Sequence, residues 1–194
     1  MASNNALILA AIAAAGTTGT ELLWVAPVGT TLPTDATTAL PAAWKSAGFI
    51  SQDGIEKSIK TSSSDVKAFG TLSPVRKIVT DEEVTFKISM LEHNAISLAL
   101  YNKLPLSGAG ALTITSGAFS IADGKPRVQR YSVVADLVDG ANRVRAVIEQ
   151  FEVTERESQA YKAGEAIALG ITATAYPGAT GDSVITYYNI PALV

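Results

Sequence analysis

Apolar and polar side chains alternate most sharply between Val84 and Met90, where Val84, Phe86, Ile88 and Met90 are separated by Thr85, Lys87 and Ser89. A period of two places the first set on one face of a strand, and that face must be covered. The spacing then changes. Between Ala95 and Lys103, either Ala95, Leu98 and Ala99 or Ile96, Ala99 and Leu100 recur at helical intervals, and Asn94 has a side chain suited to an N-cap. The predicted helix is about two and a half turns long, too short to hold alone, so it must dock against a sheet.

Asp139-Gly140, between Gln129–Val138 and Ala141–Phe151, reads as a hairpin turn. With those two residues as the turn, Asp136 faces Arg143 and Arg130 faces Glu149. The opposite face carries Tyr131, Val133, Ala135 and Leu137 beside Val144, Ala146 and Ile148, so one register separates a dry face from a charged one. A last hairpin is expected from the alternation of Ile167, Leu169, Ile171, Ala173 and Ala175, a turn at Pro177-Gly178, and a return over Val184 to Ile190. Upstream, Gly48 to Ser51 reads as a short strand ended by a turn at Asp53-Gly54. Residues 53–69 read as a projecting loop with a polar tip at Thr61 to Asp65. From Gly16 to Pro41 the composition suits extended chain with turns, anchored by Trp24. Strands dominate and one helix interrupts them. The expected fold is mainly β, an antiparallel sandwich or small barrel with a helix at its side. The expected organisation is an N-terminal arm (1–22), one domain (23–194) and a C-terminal arm (187–194).

At 194 residues, without a central linker, the chain is long enough for one domain with a full core. Fifteen Lys and Arg against 18 Asp and Glu give a net charge of -3, so no global basic excess draws it onto nucleic acid or anionic lipid. The absence of cysteine removes disulfides, thiolate catalysis and sulfur-ligated metals. The apolar run Ala6 to Ala15 has no Lys or Arg before it, unlike a secretory signal, and falls far short of the ~20 residues that cross a bilayer. It reads as an arm that docks on its own domain or on a neighbour.

Candidate chemistry is sparse. A serine triad would have to be built on the one histidine, His93, which sits at the strand-to-helix junction. Asp81-Glu82-Glu83 is the densest carboxylate cluster, but consecutive strand residues point to opposite faces and converge poorly on a cation. Gly16 to Glu21 lacks the lysine of a phosphate-binding loop. Arg127, Arg130, Arg143 and Arg145 are interleaved with Asp136, Glu149 and Glu152, which suits a charge-paired sheet surface better than a nucleic-acid site. The expectation is a protein that is not an enzyme and uses no cofactor or metal.

Several motifs in order carry a resemblance to the major tail protein, the tail tube subunit of long-tailed, non-contractile bacteriophages, especially those of actinobacterial hosts. They are Trp24-Val25-Ala26-Pro27 with Gly29-Thr30 and Pro33-Thr34; Ala47 to Ile55; Val75-Arg76-Lys77 leading to Glu83 to Phe86 and Leu91 to Asn94; Asp136 to Gly140; and Ala175-Tyr176-Pro177. The resemblance runs from Trp24 to Tyr188, and the apolar stretch Asn5 to Ala15 departs from it. It implies two packed antiparallel sheets flanked by a helix, and homohexameric rings stacked into a tube that passes the genome and the tape-measure protein. It also implies tail-tip initiator and terminator proteins as partners, assembly in the host cytoplasm, a place in the virion tail and no membrane.

Stacked rings need contacts from projecting segments. The candidates are Leu7, Ile8, Leu9 and Ile12 in the N-terminal arm, Asp53, Ile55, Ile59 and Asp65 in the projecting loop, and Tyr187, Tyr188 and Ile190 near the end. Arg130, Asp136, Arg143, Arg145 and Glu149 form a candidate charged face toward the lumen or a neighbouring subunit. The rival readings are another filament component, such as a pilus-like subunit, or an adhesion or receptor-binding β-sandwich module.

Overall fold

A computed structural model describes residues 13–14 and 22–193. Its elements are β1 (Ala13–Ala14), β2 (Leu23–Pro27), β3 (Lys45–Ser46), β4 (Ile50–Val66), β5 (Arg76–Met90), α1 (Ala95–Tyr101), β6 (Arg130–Asp139), β7 (Asn142–Arg156), β8 (Leu169–Tyr176) and β9 (Ile185–Asn189), with a 3-10 turn at Pro191–Leu193. The strands form one antiparallel sheet in the order β3-β2-β6-β7-β8-β5-β4, with β1 added to β6 and β9 to β7. The sheet is not closed. Its main core joins Leu23 and Val25 of β2, Tyr131 and Val133 of β6 and Phe151 of β7 to Phe86 and Ile88 of β5 and Ile171 of β8, the arrangement of a β-sandwich.

The alternation over Val84 to Met90 is realised. Val84, Phe86, Ile88 and Met90 are all buried, and Phe86 packs against Phe151 with ring centroids 6.1 Å apart. The helix starts where the sequence places it. Asn94 Oδ1 accepts from the amides of Ile96 and Ser97, both at 2.9 Å, and Ser97 Oγ accepts from the Asn94 amide, closing a capping box. At the other end, the buried Tyr131 hydroxyl lies within donating distance of the carbonyls of Ala99 (3.2 Å) and Leu104 (2.7 Å), so a core side chain ties the helix and the residues that follow it to β6; the Ala99 carbonyl also accepts from the Leu104 amide at 2.8 Å. Burial pushes the Tyr131 phenol well above the ordinary tyrosine range.

Three sequence expectations are corrected. The β6/β7 turn lies at Gly140-Ala141, because Asp139 pairs with Asn142; Asp136 therefore faces Arg145, and a bulge near Tyr131 sets Arg130 opposite Glu152. Gly54 does take a positive φ of 72°, but at an irregularity inside β4 rather than at a turn, since the register slips between Ile50↔Met90 and Ile55↔Ile88. The strands β8 and β9 do not form a hairpin. Both pair with β7, β8 along Gln150–Arg156 and β9 along Arg143–Val147.

A second, smaller cluster covers the other face of β2, β6 and β7. Trp44, 2% exposed, packs there with Ala26, Val134 and Val147, against Trp24, Leu32, Leu40 and Tyr187. Residues 28–44 thus lie over the charged face of the β6/β7 hairpin, and Trp44 rather than Trp24 is the deeper anchor.

Candidate assembly interface

The pair β4/β5 is long because its sequence keeps pairing after its core ends. The register runs from Ile50↔Met90 to Val66↔Arg76, whereas β8 accompanies β5 only from Val84 to Met90. Arg76 to Glu83 and their partners on β4 therefore project beyond the sheet as a two-stranded ribbon. The polar stretch Thr61 to Asp65 is part of strand β4, and the turn lies farther out, at residues 67–75.

Polar composition alone conceals what the ribbon exposes. Ile59, Val66, Phe69, Leu72, Val75, Ile78 and Val79 are all exposed, seven of the fifteen exposed large apolar side chains among the described residues. Thr80 has no partner between Asp81↔Ser62 and Val79↔Ser63, so the bulge switches the alternation. Ile59 and Val79 consequently share one face, and Val66 and Ile78 the other. An apolar concentration of this kind marks an interaction surface. The ribbon also carries an edge that is free among the described residues, since β4 ends the strand order and pairs there only with β5.

The structure distributes the sequence candidates. Leu7, Ile8, Leu9 and Ile12 lie outside the described residues. Asp53, Ile59 and Asp65 are exposed along β4, whereas Ile55 packs on the main core. Tyr187 and Tyr188 lie within β9, with backbones paired to Arg145 and Val144, rather than in a free arm. Tyr187 packs on the smaller cluster, Tyr188 is exposed, and Ile190 is half-buried.

The charged candidates divide into internal and surface groups. Asp136 and Arg145 have side chains only 5% and 3% exposed, joined by two bonds of 2.6 and 2.7 Å. Arg145 Nη1 also donates to the carbonyls of Thr38 (2.7 Å) and Asp35 (3.1 Å), tying residues 28–44 to the sheet. Residues 28–44 therefore cover these two members of the candidate lumen or inter-subunit face. Arg130 remains near the surface, 3.0 Å from Glu152 and 4.7 Å from the centre of the Tyr176 ring. Glu149, half-buried, accepts from the Ala179 amide at 2.8 Å, and Arg143 is half-buried in β7.

Elsewhere the chemistry is that of a scaffold. His93 is exposed, its Nδ1 lying 3.3 Å from the Leu91 carbonyl. Asp81 and Glu83 lie on one face of β5 and Glu82 on the other, and no group of three His, Asp or Glu side chains that could hold a metal occurs among the described residues. No helix among them is long and apolar enough to cross a membrane. Glu157, 2.9 Å from Lys87, raises that ammonium's pKa by hydrogen bond and charge, the ordinary behaviour of a surface pair.

The family model described as "Phage tail tube protein" matches residues 1–190. No curated protein matches the chain.

Proposed function

The chain belongs to the phage tail tube protein family, a structural rather than enzymatic family of the virion tail, and from that premise we propose that six copies close into a ring and that rings stack into the tube. The tube conducts the genome and the tape-measure protein, its growth starts on a tail-tip initiator and stops at a terminator, and it is built in the host cytoplasm. The observation that carries this reading is the open sheet among the described residues, with the edge of β4 along 17 residues at one end and the short strand β3 at the other. Isolated edges of this length attract strands, and pairing the two ends between neighbours removes both while continuing one sheet around a ring.

The electrostatics suit a conduit. The chain has a net charge of -3, and Arg130, Arg145 and Arg156 are each held against a carboxylate, so these three guanidiniums are not free to grip the phosphate backbone. Arg130, Arg143 and Glu149 remain candidates for a lumen or subunit face; Asp136 and Arg145 serve the interior of the fold. Native mass measurement tests the ring. A closed species of six 20.1 kDa chains is expected on the way to polymer, and a chain that stays monomeric at every concentration, with or without tail-tip proteins, contradicts the proposal.

A further inference from the structure

The ribbon tip and a cleft beside α1 lie at opposite ends of the same strand. β5 runs from Arg76, next to the tip, to Met90, which pairs with Leu169 at the start of β8; Arg156, at the end of β7, pairs with Ile171 beside it. At about 3.3 Å per residue, the distance from Arg76 to Met90 is roughly 46 Å, so a tip projecting along the strand is carried away from its own cleft. The same tip on a second copy stacked head to tail is carried toward it.

The two ends are complementary. At the tip, Phe69 and Leu72 are fully exposed on a turn in which Gly70 has φ 83° and the Thr71 amide and hydroxyl both donate to the Ala68 carbonyl, at 3.3 and 3.0 Å. The Val75 amide closes the loop onto the Val66 carbonyl at 2.9 Å, so both side chains are presented from a hydrogen-bonded turn. The cleft, about 590 Å³, is lined by Leu98, Ile121 and Ile167 and the rings of Tyr101 and Tyr161, together with five polar or charged residues, Asp123 and Arg156 among them. Tyr101 is fixed by donating to the Glu157 carbonyl at 2.7 Å, and Arg156 stands 5.6 Å above its ring; Tyr161 remains exposed. The cleft's own charges are paired within the subunit, Asp123 with Arg156 at 3.3 Å and, beside it, Glu157 with Lys87 at 2.9 Å, so the match between the two ends rests on apolar and aromatic surface.

We infer that the tip of the β4/β5 ribbon, led by Phe69 and Leu72, docks into the cleft between α1 and the C-terminal end of β7 on a second copy of this chain in the adjacent ring. The inference rests on the head-to-tail stacking proposed above and assigns it a knob and a socket. It also explains why the tip keeps large apolar side chains that nothing among the described residues covers.

The chain has no cysteine, so the contact can be read by crosslinking without further engineering. In full-length protein, Leu72→Cys together with Tyr161→Cys is expected to give a ladder of disulfide-linked multimers on mild oxidation of the polymer, because each copy then offers one partner at each end. Either single variant is expected to stop at dimers. Both positions are exposed, and melting temperatures should stay at the parent value. A second variant, Phe69→Ser with Leu72→Ser, is expected to raise the concentration needed for polymer about tenfold or more, as for other buried anchor residues. Tubes that form normally but give no ladder beyond the single variants overturn the socket and leave the tail-tube reading intact, as does polymer of the double-serine variant at unchanged concentration. Parent chain that never polymerises removes the tube reading, and the socket falls with it.

Discussion

Replacing Asp136 with alanine removes the only carboxylate among the described residues that meets the buried Arg145 guanidinium, whose side chain is 3% exposed. Two short hydrogen bonds are lost, while the guanidinium keeps only the carbonyls of Asp35 and Thr38. Breaking one side of a buried pair typically costs about 3–5 kcal/mol, because the remaining charge stays desolvated and uncompensated. For a chain of this size about 1 kcal/mol corresponds to roughly 2–4 °C, so the melting temperature should fall by about 10 °C. The double variant Asp136→Ala with Arg145→Met removes both charges and should recover a large part of the loss, since an apolar replacement of a buried pair is often close to neutral. Thermal denaturation followed by circular dichroism, at low and at high salt, measures all three chains. Because the pair is buried, the differences should change little with salt. A drop of only a degree or two for Asp136→Ala, or one abolished by salt, would refute the internal clamp. It would return Asp136 to the surface that its spacing with Arg143 suggests. Charge reversal at Asp136 therefore tests folding first, and Glu149→Lys is the cleaner probe of a subunit or lumen face.

Asn94→Ala deletes the acceptor for two amides at the start of α1 and should cost about 1 kcal/mol, measured by urea denaturation. Tyr131→Phe strips the hydroxyl from the carbonyls of Ala99 and Leu104 and should cost about 1–3 kcal/mol, with hydrogen exchange rising first at the end of α1. Asp35 accepts from the amides and hydroxyls of Thr37 and Thr38, bonds that hold its carboxyl below the usual carboxylate range, with Thr38 the larger cause. A depressed folded-state pKa contributes stability above the unfolded value near pH ~3.9 that is lost as pH falls toward the folded value. Asp35→Asn should therefore weaken the protein at neutral pH and flatten its stability profile below pH ~4; parallel profiles for the two chains would contradict this.

The legible parts of the sequence were those where one local rule decides. Period-two burial set Val84 to Met90, and the side chain of Asn94 together with helical spacing set α1. The sequence marks the β6/β7 hairpin but places its turn one residue early, because Asp139-Gly140 suits a turn locally while opposite charges are satisfied in either register. Packing selects the second register, in which Arg145 meets both Asp136 and the carbonyls of residues 28–44. That contact spans more than a hundred residues and leaves no local trace. The same limit applies to β9, since the turn at Pro177-Gly178 suggests a return along β8 while the free edge of β7 takes the strand. In the projecting ribbon, the serines and charges suggested a solvated tip, but paired strands continue through them and bring the exposed apolar residues to the end.

Electron microscopy of the purified full-length chain over a concentration series tests the central claim most directly. The account predicts hollow, regularly striated tubes above a threshold concentration, with end views showing six subunits around an open bore. Solid fibres, closed oligomers that do not stack, or monomers that persist even when tail-tip proteins are supplied would contradict it.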